Sequence, residues 1–538
     1  MALNRKQLGH LHHFARLSRQ APGDWTDMGP FDPTNEGDDA YRYQLAYMAY
    51  GLALAQYHHL PAYSAELKDT LERLIEKMMR QDVWLYWEMT SRGSKFFDPD
   101  LRKLGEGWPD PVRSKNIMYS GHLFLMVCLH EALYREGKYS RPGSLTFRYR
   151  PPLRGLGPED FVYDVHSLMQ VVVDQFRESK GLGCECEPNG IFVYCNQFPL
   201  LALKLYDHVY GTSFSNQLES EFRDAWRRRS NLFVTGKSES LPVFYQVKQD
   251  LVITEDSEDN SEAAAASSWG PLMHVWEKEY IESIYEGVVA DVLTESDAGL
   301  SVSLERFHRT HVAYEENPST DDIDPMMLGV HVHGMMALFA AEVGDDERLR
   351  GLLAHADAYM NPTWKDGGLF YPRNDRLDTQ SYVTCTMGNA LLGAARLLPK
   401  NGLFELFNHP WTDRDLEQPR LAAVDTEQVV VAGARFNDEA GELSVALLSR
   451  GEGEDASTAV KIVNLDRRRP LSIRLDGVEI ADMRTGDSGT ARVRWHEAEG
   501  TLEAWVSFRD EAELVLSVGL RSEEQLMEAT RSTAAHRS

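Results

Sequence analysis

The chain has 538 residues, with 56 Lys plus Arg against 83 Asp plus Glu and a formal net charge of −27. That length is too great for one ordinary hydrophobic core, so more than one domain is expected. A field of that sign repels phosphate backbones and anionic bilayers, so no nucleic-acid and no membrane partner is expected; the plain reading of the acidity is solubility.

The opening run MALNRKQLGHLHHFARLSRQ is broken by polar residues and lacks a signal-peptide core. No apolar stretch approaches the ~20 residues that span a bilayer. Five cysteines is an odd and sparse set, which argues against a secreted disulfide framework and for reduced thiols in the cytoplasm. From Ala40 the pattern turns helical, with aromatic and apolar residues at 3–4 spacing through Ala55 behind Asp38 and Asp39. The pattern predicts further helices over Leu67–Met79, Met118–Leu133, Phe161–Phe176, Leu200–Tyr210, Leu218–Arg228, Leu272–Thr294, Met327–Val343, Glu347–Tyr359 and Ser381–Leu398. Gly and Pro turns between them favour antiparallel helical hairpins, and by analogy with other folds a closed α/α barrel. The acidic stretch 254–268 reads as a mobile loop. After about residue 420 the period becomes two, in runs such as Leu443–Leu448, Leu502–Phe508 and Leu514–Val518. The fold class expected is thus mainly α, a barrel over residues 1–415 with an N-terminal arm 1–37. A small antiparallel β-sandwich over 420–520 follows, then a frayed tail 521–538.

Chemistry-bearing residues concentrate in two runs. In Cys186-Glu-Pro-Asn-Gly-Ile-Phe-Val-Tyr-Cys195 the two thiols are nine residues apart, too far for a zinc knuckle or a redox Cys-x-x-Cys pair. Cys186 precedes a Pro-Asn-Gly turn, and Cys195 lies just before a helix that Pro199 can open. A thiol near a helix N-terminus has a lowered pKa, whereas one in an apolar wall stays protonated, so the pair can serve as proton donor and acceptor. The competing reading is two buried small hydrophobes. In Asn116-Ile-Met-Tyr-Ser-Gly-His122, Met118 and His122 are four apart and share one helix face. A lone helical His is more often structural. His331-Val-His333 diverges on a helix and makes a poor metal half-site, and Asp321-Asp-Ile-Asp324 reads as a solvated helix start. Phosphate loops, dinucleotide fingerprints, nucleophile elbows and His-Glu-x-x-His are absent from the sequence, so no metal and no cofactor is expected.

These runs resemble the bacterial linalool dehydratase/isomerase family. Asn116-Ile-Met-Tyr-x-Gly-His122-Leu is similar to that family's pocket helix, and Cys186-Glu-Pro-x-x-x-Phe192-Val-x-Cys195-Asn to its two-cysteine segment. Tyr206-Asp, Tyr210-Gly-Thr, Val83-Trp-x-x-Trp87-Glu and Ala49-Tyr-Gly-Leu-Ala follow the same order. The likeness covers roughly residues 20–400 and leaves the β-rich tail outside. It implies an (α/α)6 barrel without a cofactor, dehydrating an allylic tertiary terpene alcohol to a diene and isomerising it to a primary alcohol. By the same resemblance Cys186 and Cys195 are the acid/base thiols, and His122 and Met118 pocket residues. Phe192 and Tyr43 face the substrate, Glu187 sits beside the first thiol, and Trp269 falls where the family has a pocket tyrosine. Asp27-Met-Gly-Pro-Phe31 matches the family's N-terminal acid only in part, since Asp32 replaces a tyrosine and Asp24 is an alternative to Asp27. The family's signal peptide and early-loop cysteine have no counterpart here, which points to a different substrate and compartment.

The function expected is a cofactor-independent lyase or isomerase acting by acid–base catalysis on a small hydrophobic substrate, an alkene-bearing terpenoid or prenyl alcohol or epoxide of secondary metabolism. Homo-oligomerisation is left open. A carbohydrate-active barrel enzyme is the rival and needs paired carboxylates, for which Asp27, Glu88 and Glu187 are candidates. A binding protein that has lost the chemistry is the third reading.

Overall fold

The computed structural model describes residues 2–28, 34–37, 40–153, 155, 157–236, 241–254, 266–302, 332–371, 387–451, 453–465, 468–483 and 493–520. Helices dominate the first four hundred residues and antiparallel sheets the last hundred. The longer helices are α1 (Arg5–Ser18), α2 (Tyr41–His58), α3 (Ala65–Met78), α4 (Ile117–Tyr134), α5 (Val165–Glu178), α6 (Gln197–Tyr210) and α7 (Phe214–Ser230). They continue with α8 (Lys278–Val292), α9 (Val332–Val343), α10 (Asp346–Tyr359) and α11 (Met387–Leu397). None of the described helices is long and apolar enough to cross a membrane.

The chain forms two compact units. One comprises Gly9–Leu54 and Thr70–Pro410, the other Met1–Leu8, Ala55–Asp69 and Trp411–Ser538. In the larger unit α4 packs on α6, α6 on α7, and α9 on both α10 and α11. Helix α4 is buried along nearly its whole circumference, as its apolar composition requires. Its contact with α6 needs Gly121, because a Cβ there would stand 3.0 Å from Pro199 Cδ.

Two expectations are corrected. Residues 161–163 are not helical: Glu159–Tyr163 is a strand paired with Leu145–Tyr149, Phe161 facing Phe147. Asp164 stops it and starts α5, its carboxylate accepting from His166 N and Ser167 N while Ser167 Oγ accepts from Asp164 N. The expected helix 272–294 is broken into Gly270–Met273 and α8, and Leu293–Ser296 turns back as a hairpin with Gly299–Val302. The N-terminal arm contains α1, opened by a reciprocal cap between Asn4 and Gln7 and burying Leu8, Leu11, Phe14 and Leu17. The Asn-x-x-Gln signal for that cap was present in the sequence. Most of the acidic stretch 254–268, the Asp321–Asp324 run, His331 and the tail from 521 lie outside the described residues.

The smaller unit holds two antiparallel sheets. Its strands are β1 (Arg420–Ala423), β2 (Val429–Asn437), β3 (Glu442–Ser449), β4 (Asp455–Val463), β5 (Arg468–Leu475), β6 (Val478–Asp482), β7 (Val493–His496), β8 (Thr501–Arg509) and β9 (Glu511–Leu520). The sheet orders are β1-β4-β8-β7 and β2-β3-β9-β5-β6. Burial alternates along β4, as expected of a sheet with one face in a core. The segment 55–69 joins this unit through Ala62 N to Ala434 O at 3.0 Å and Leu421 N to Ala62 O at 2.8 Å.

Four histidines fold into the larger unit in neutral form. Burial holds His122 well below the ordinary value, with the charge of Arg42 adding to it. Burial, followed by Arg16, brings His13 down to about 3; burial and His355 bring His333 to about 3, and burial brings His355 to about 4. An unfolded chain protonates each near pH 6.5 while the native one does not, so the unfolded state binds more protons below that pH. Their contribution is complete above about pH 6.5 and is lost as pH falls toward 4, about 1.4 kcal/mol per pH unit for each. Urea unfolding at pH 7, 6 and 5 should show this slope before the carboxylates titrate, and a flat profile would contradict it.

Candidate active site

The two thiols meet because one asparagine shapes the segment between them. Asn196 accepts from Cys184 N at 2.7 Å and donates to Cys184 O at 3.1 Å and Phe192 O at 2.8 Å. Gly183 lies under this amide with φ +108°, where a Cβ would stand 2.5 Å from Asn196 Cγ. A turn over Pro188 and Asn189 is closed by Cys186 N to Gly190 O at 2.8 Å. The result places Cys186 in hydrogen-bond contact with Cys195, both buried. Cys186 Sγ also donates to Glu187 Oε1 at 3.4 Å. Burial, then Cys195, then the Glu187 carboxylate push the Cys186 thiol well above the usual range. Cys195 immediately precedes Asn196, the N-cap of α6, as the spacing to Pro199 anticipated.

An aromatic wall surrounds His122. Its Nδ1 shares a 2.7 Å hydrogen bond with Tyr50 of α2, and its Nε2, fully buried, has no hydrogen-bond partner among the described residues. When Tyr50 donates, the neutral ring carries its proton on Nε2. Phe198 lies with its ring centroid 3.9 Å away, and Tyr43 and Tyr47 meet the imidazole edge-on at 5.5 and 5.7 Å. Met118 is buried one turn earlier on α4. Trp269 joins through Tyr47 at 6.1 Å and Tyr194 at 5.1 Å, and Tyr194 in turn contacts Phe192 at 5.3 Å. From Phe192 the chain of rings continues through Phe97 and Phe244 to the exposed Phe96. A continuous series of ring contacts thus links the exposed Phe96 with the histidine.

Sequence reasoning missed Arg42. This buried guanidinium is stacked between Tyr43 at 4.3 Å and Tyr86 at 4.1 Å. It donates to the carbonyls of Asn35 and Glu36 and to Tyr43 Oη. Burial works against its charge, but Tyr43, Tyr86 and Cys186 outweigh that, and the group stays cationic. Tyr50, Tyr86 and Asn116 were missed as well; Tyr86 Oη donates to Asn116 Oδ1 at 2.5 Å, at the start of α4. An arginine flanked by two tyrosines in an otherwise apolar helix was the available signal.

The N-terminal acids sit in other networks. Asp27 pairs with Arg16 at 2.8 Å and Lys365 at 3.1 Å; burial would raise its carboxyl, but those two cations hold it below the usual range. Asp24 is exposed and accepts from Thr26. Glu88 accepts from Tyr149 Oη at 3.3 Å. Phe31, Asp32 and Cys385 lie outside the described residues. His333 bonds the carbonyl of Leu352, a structural role. Glu72, His130 and Glu136 place ligand atoms within 4.8 Å of one another, but Lys138 Nζ lies 2.7 Å from Glu72 and already supplies the cation.

Two adjacent thiols, a neutral imidazole with an open nitrogen and a lining of aromatic faces can exchange protons with an apolar substrate and favour positive charge developing on it. A family model described as linalool dehydratase/isomerase matches residues 42–377. Among solved structures, an alpha-amylase from Clostridium perfringens is 11% identical with a TM-score of 0.39, the match covering 73% of this chain and 98% of that one. An alpha-1,6-mannanase from Salegentibacter is 10% identical with a TM-score of 0.37, covering 75% and 100%. The endoglucanase CelQ from Clostridium thermocellum is 10% identical with a TM-score of 0.34, covering 98% and 94%. At scores of this size the structural likenesses carry no argument.

Proposed function

This chain belongs to the linalool dehydratase/isomerase family, and from that premise we propose that it is a lyase/isomerase acting on an alkene-bearing terpenoid or prenyl alcohol. The observation that carries the reading is the contact between Cys186 and Cys195, in the same compact unit as the aromatic-walled His122. In the working state the thiol pair holds one proton. One sulfur gives its proton to the substrate hydroxyl as the C–O bond breaks and water leaves. The other sulfur takes a proton from the adjacent carbon, and the C–H electron pair becomes the new π bond. The proton returns across the hydrogen bond between the sulfurs, which resets the pair. Return of water to the far carbon of the allylic system, with the same proton movements reversed, yields the primary alcohol. His122 Nε2 holds the hydroxyl, Met118, Tyr43, Phe192 and Trp269 confine the hydrocarbon, and ring faces stabilise the allylic positive charge. Glu187 tunes its neighbouring thiol.

The same reading takes the helices as an (α/α)6 barrel and the two C-terminal sheets as a sandwich, supported by the paired helix packing and the alternating burial of β4. It places the protein in a reducing compartment, in keeping with free buried Cys128, Cys184, Cys186 and Cys195. The test is product analysis by gas chromatography and mass spectrometry after incubation with tertiary allylic terpenoid alcohols. A diene and its primary-alcohol isomer are expected. Absence of both, with release of reducing sugar from polysaccharides, would transfer the chemistry to the carboxylates.

A further inference from the structure

The groups assigned to the chemistry are closed off from solvent: His122 is 0% exposed, Cys195 2% and Cys186 3%. A hydrocarbon alcohol reaches them when part of the surrounding wall moves aside. One segment has the build for such a movement. Gly105 N donates to Arg92 O at 2.9 Å, which closes residues 92–105 into a compact loop with its ends together. Most of its residues are exposed, Phe96 and Leu104 among them, and Asp98 alone is buried. A loop that buries so little has few contacts to lose, so it opens at lower cost than the helices.

This loop rests on the turn that carries Cys186. Phe97 sits against Gly190, where a Cβ would stand 2.9 Å from the ring's Cδ1, and Gly190 O accepts from Cys186 N at 2.8 Å. The same ring meets Phe192 edge-on at 5.9 Å and Phe244 at 5.6 Å. Asn189 Nδ2 donates to Phe97 O at 2.8 Å. Beside it the Asp98 carboxylate accepts from Lys248 Nζ, and from Gln249 Nε2 at 3.0 Å. The segment that holds Lys248 is fixed to the cysteine turn by backbone. Gly190–Ile191 pairs with Tyr245–Gln246, and Val247 N donates to Asn189 O at 3.1 Å. The loop, by contrast, is held by the Phe97 ring and by bonds to side chains. We propose that residues 92–105 form a lid over the site, with Phe97 plugging the approach to the Cys186 turn and the Asp98–Lys248 ion pair as its latch.

The inference rests on the reading of the thiols as the reacting groups, but its test needs no substrate. Alkylation by iodoacetamide at a fixed pH is followed by tandem mass spectrometry on the folded full chain. It is read at Cys186 and at Cys128, which is buried on α4 and reports global opening. When the lid opens and closes faster than the reagent reacts, the rate follows the population of the open form. Lys248→Met leaves the buried Asp98 carboxylate without its cation and should speed Cys186 alkylation about tenfold or more. Loss of a cation by itself raises a thiol's pKa and slows the reaction, so acceleration reports access. Phe97→Ala removes the plug with no change of charge and should give a similar acceleration. In both variants Cys128 should stay within about twofold of wild type. A wild-type Cys186 rate in either folded variant overturns the proposal, as does acceleration of Cys128 by as much as Cys186. The Lys248 side chain is 63% exposed, so should Phe97→Ala fail to fold, Lys248→Met decides alone. Failure of every terpenoid alcohol to turn over would overturn the catalytic reading while leaving this result intact.

Discussion

Alanine at Cys186 or at Cys195 should lower turnover of a tertiary allylic alcohol by about 10²–10⁴-fold, the usual contribution of a positioned acid or base. Both side chains are small and buried, so the alanine variants should keep the native fold. Serine should not rescue activity, since a hydroxyl ionises far above a thiol's ~8.5 and cannot act as a base near neutral pH. Burying that hydroxyl without a partner should cost on the order of 1–3 kcal/mol. Turnover and urea midpoint measured on the same four variants separate catalysis from packing. Near-normal activity in both serine variants at a temperature where they are folded would reduce the cysteines to core residues. Alkylation should inactivate the wild type, and bound substrate should slow it.

Asn196→Leu is expected to have the largest effect on stability. The side chain is fully buried and satisfies three backbone groups: Cys184 N, Cys184 O and Phe192 O. Leucine has similar bulk and offers no partner to any of them, so each is left desolvated at about 1–3 kcal/mol, roughly 3–9 kcal/mol in all. Activity should fall further than stability accounts for, because this amide fixes how the segment from Cys184 to Phe192 returns to the start of α6. Urea unfolding of the variant checks the first part, and turnover of the folded fraction the second. A loss below about 1 kcal/mol would mean that the backbone finds other partners and that the asparagine is not what holds the cysteine segment.

The sequence by itself carried the periodicities, and with them the helical region and the sheet region. Those are local properties: a 3.6-residue repeat can bury one stripe and a two-residue repeat one face, whatever the neighbours. It also carried the linear motifs around His122 and Cys186, since residue type and spacing suffice to recognise them. The strand at 159–163 was misread because Phe161, Val162 and Tyr163 are too few to distinguish the two periods, and only pairing with Leu145–Tyr149 decides between them. The approach of Cys186 to Cys195 depends on a side chain, Asn196, whose partners lie up to twelve residues away. The imidazole's state depends on Tyr50, seventy-two residues upstream. Arg42 carries no motif in the sequence; its burial becomes visible only in the fold, where Tyr43 and Tyr86 cover the two faces of its guanidinium. Charge, burial and proton position are set by what surrounds a group in three dimensions, and for this site those surroundings come from several stretches of chain far apart in sequence.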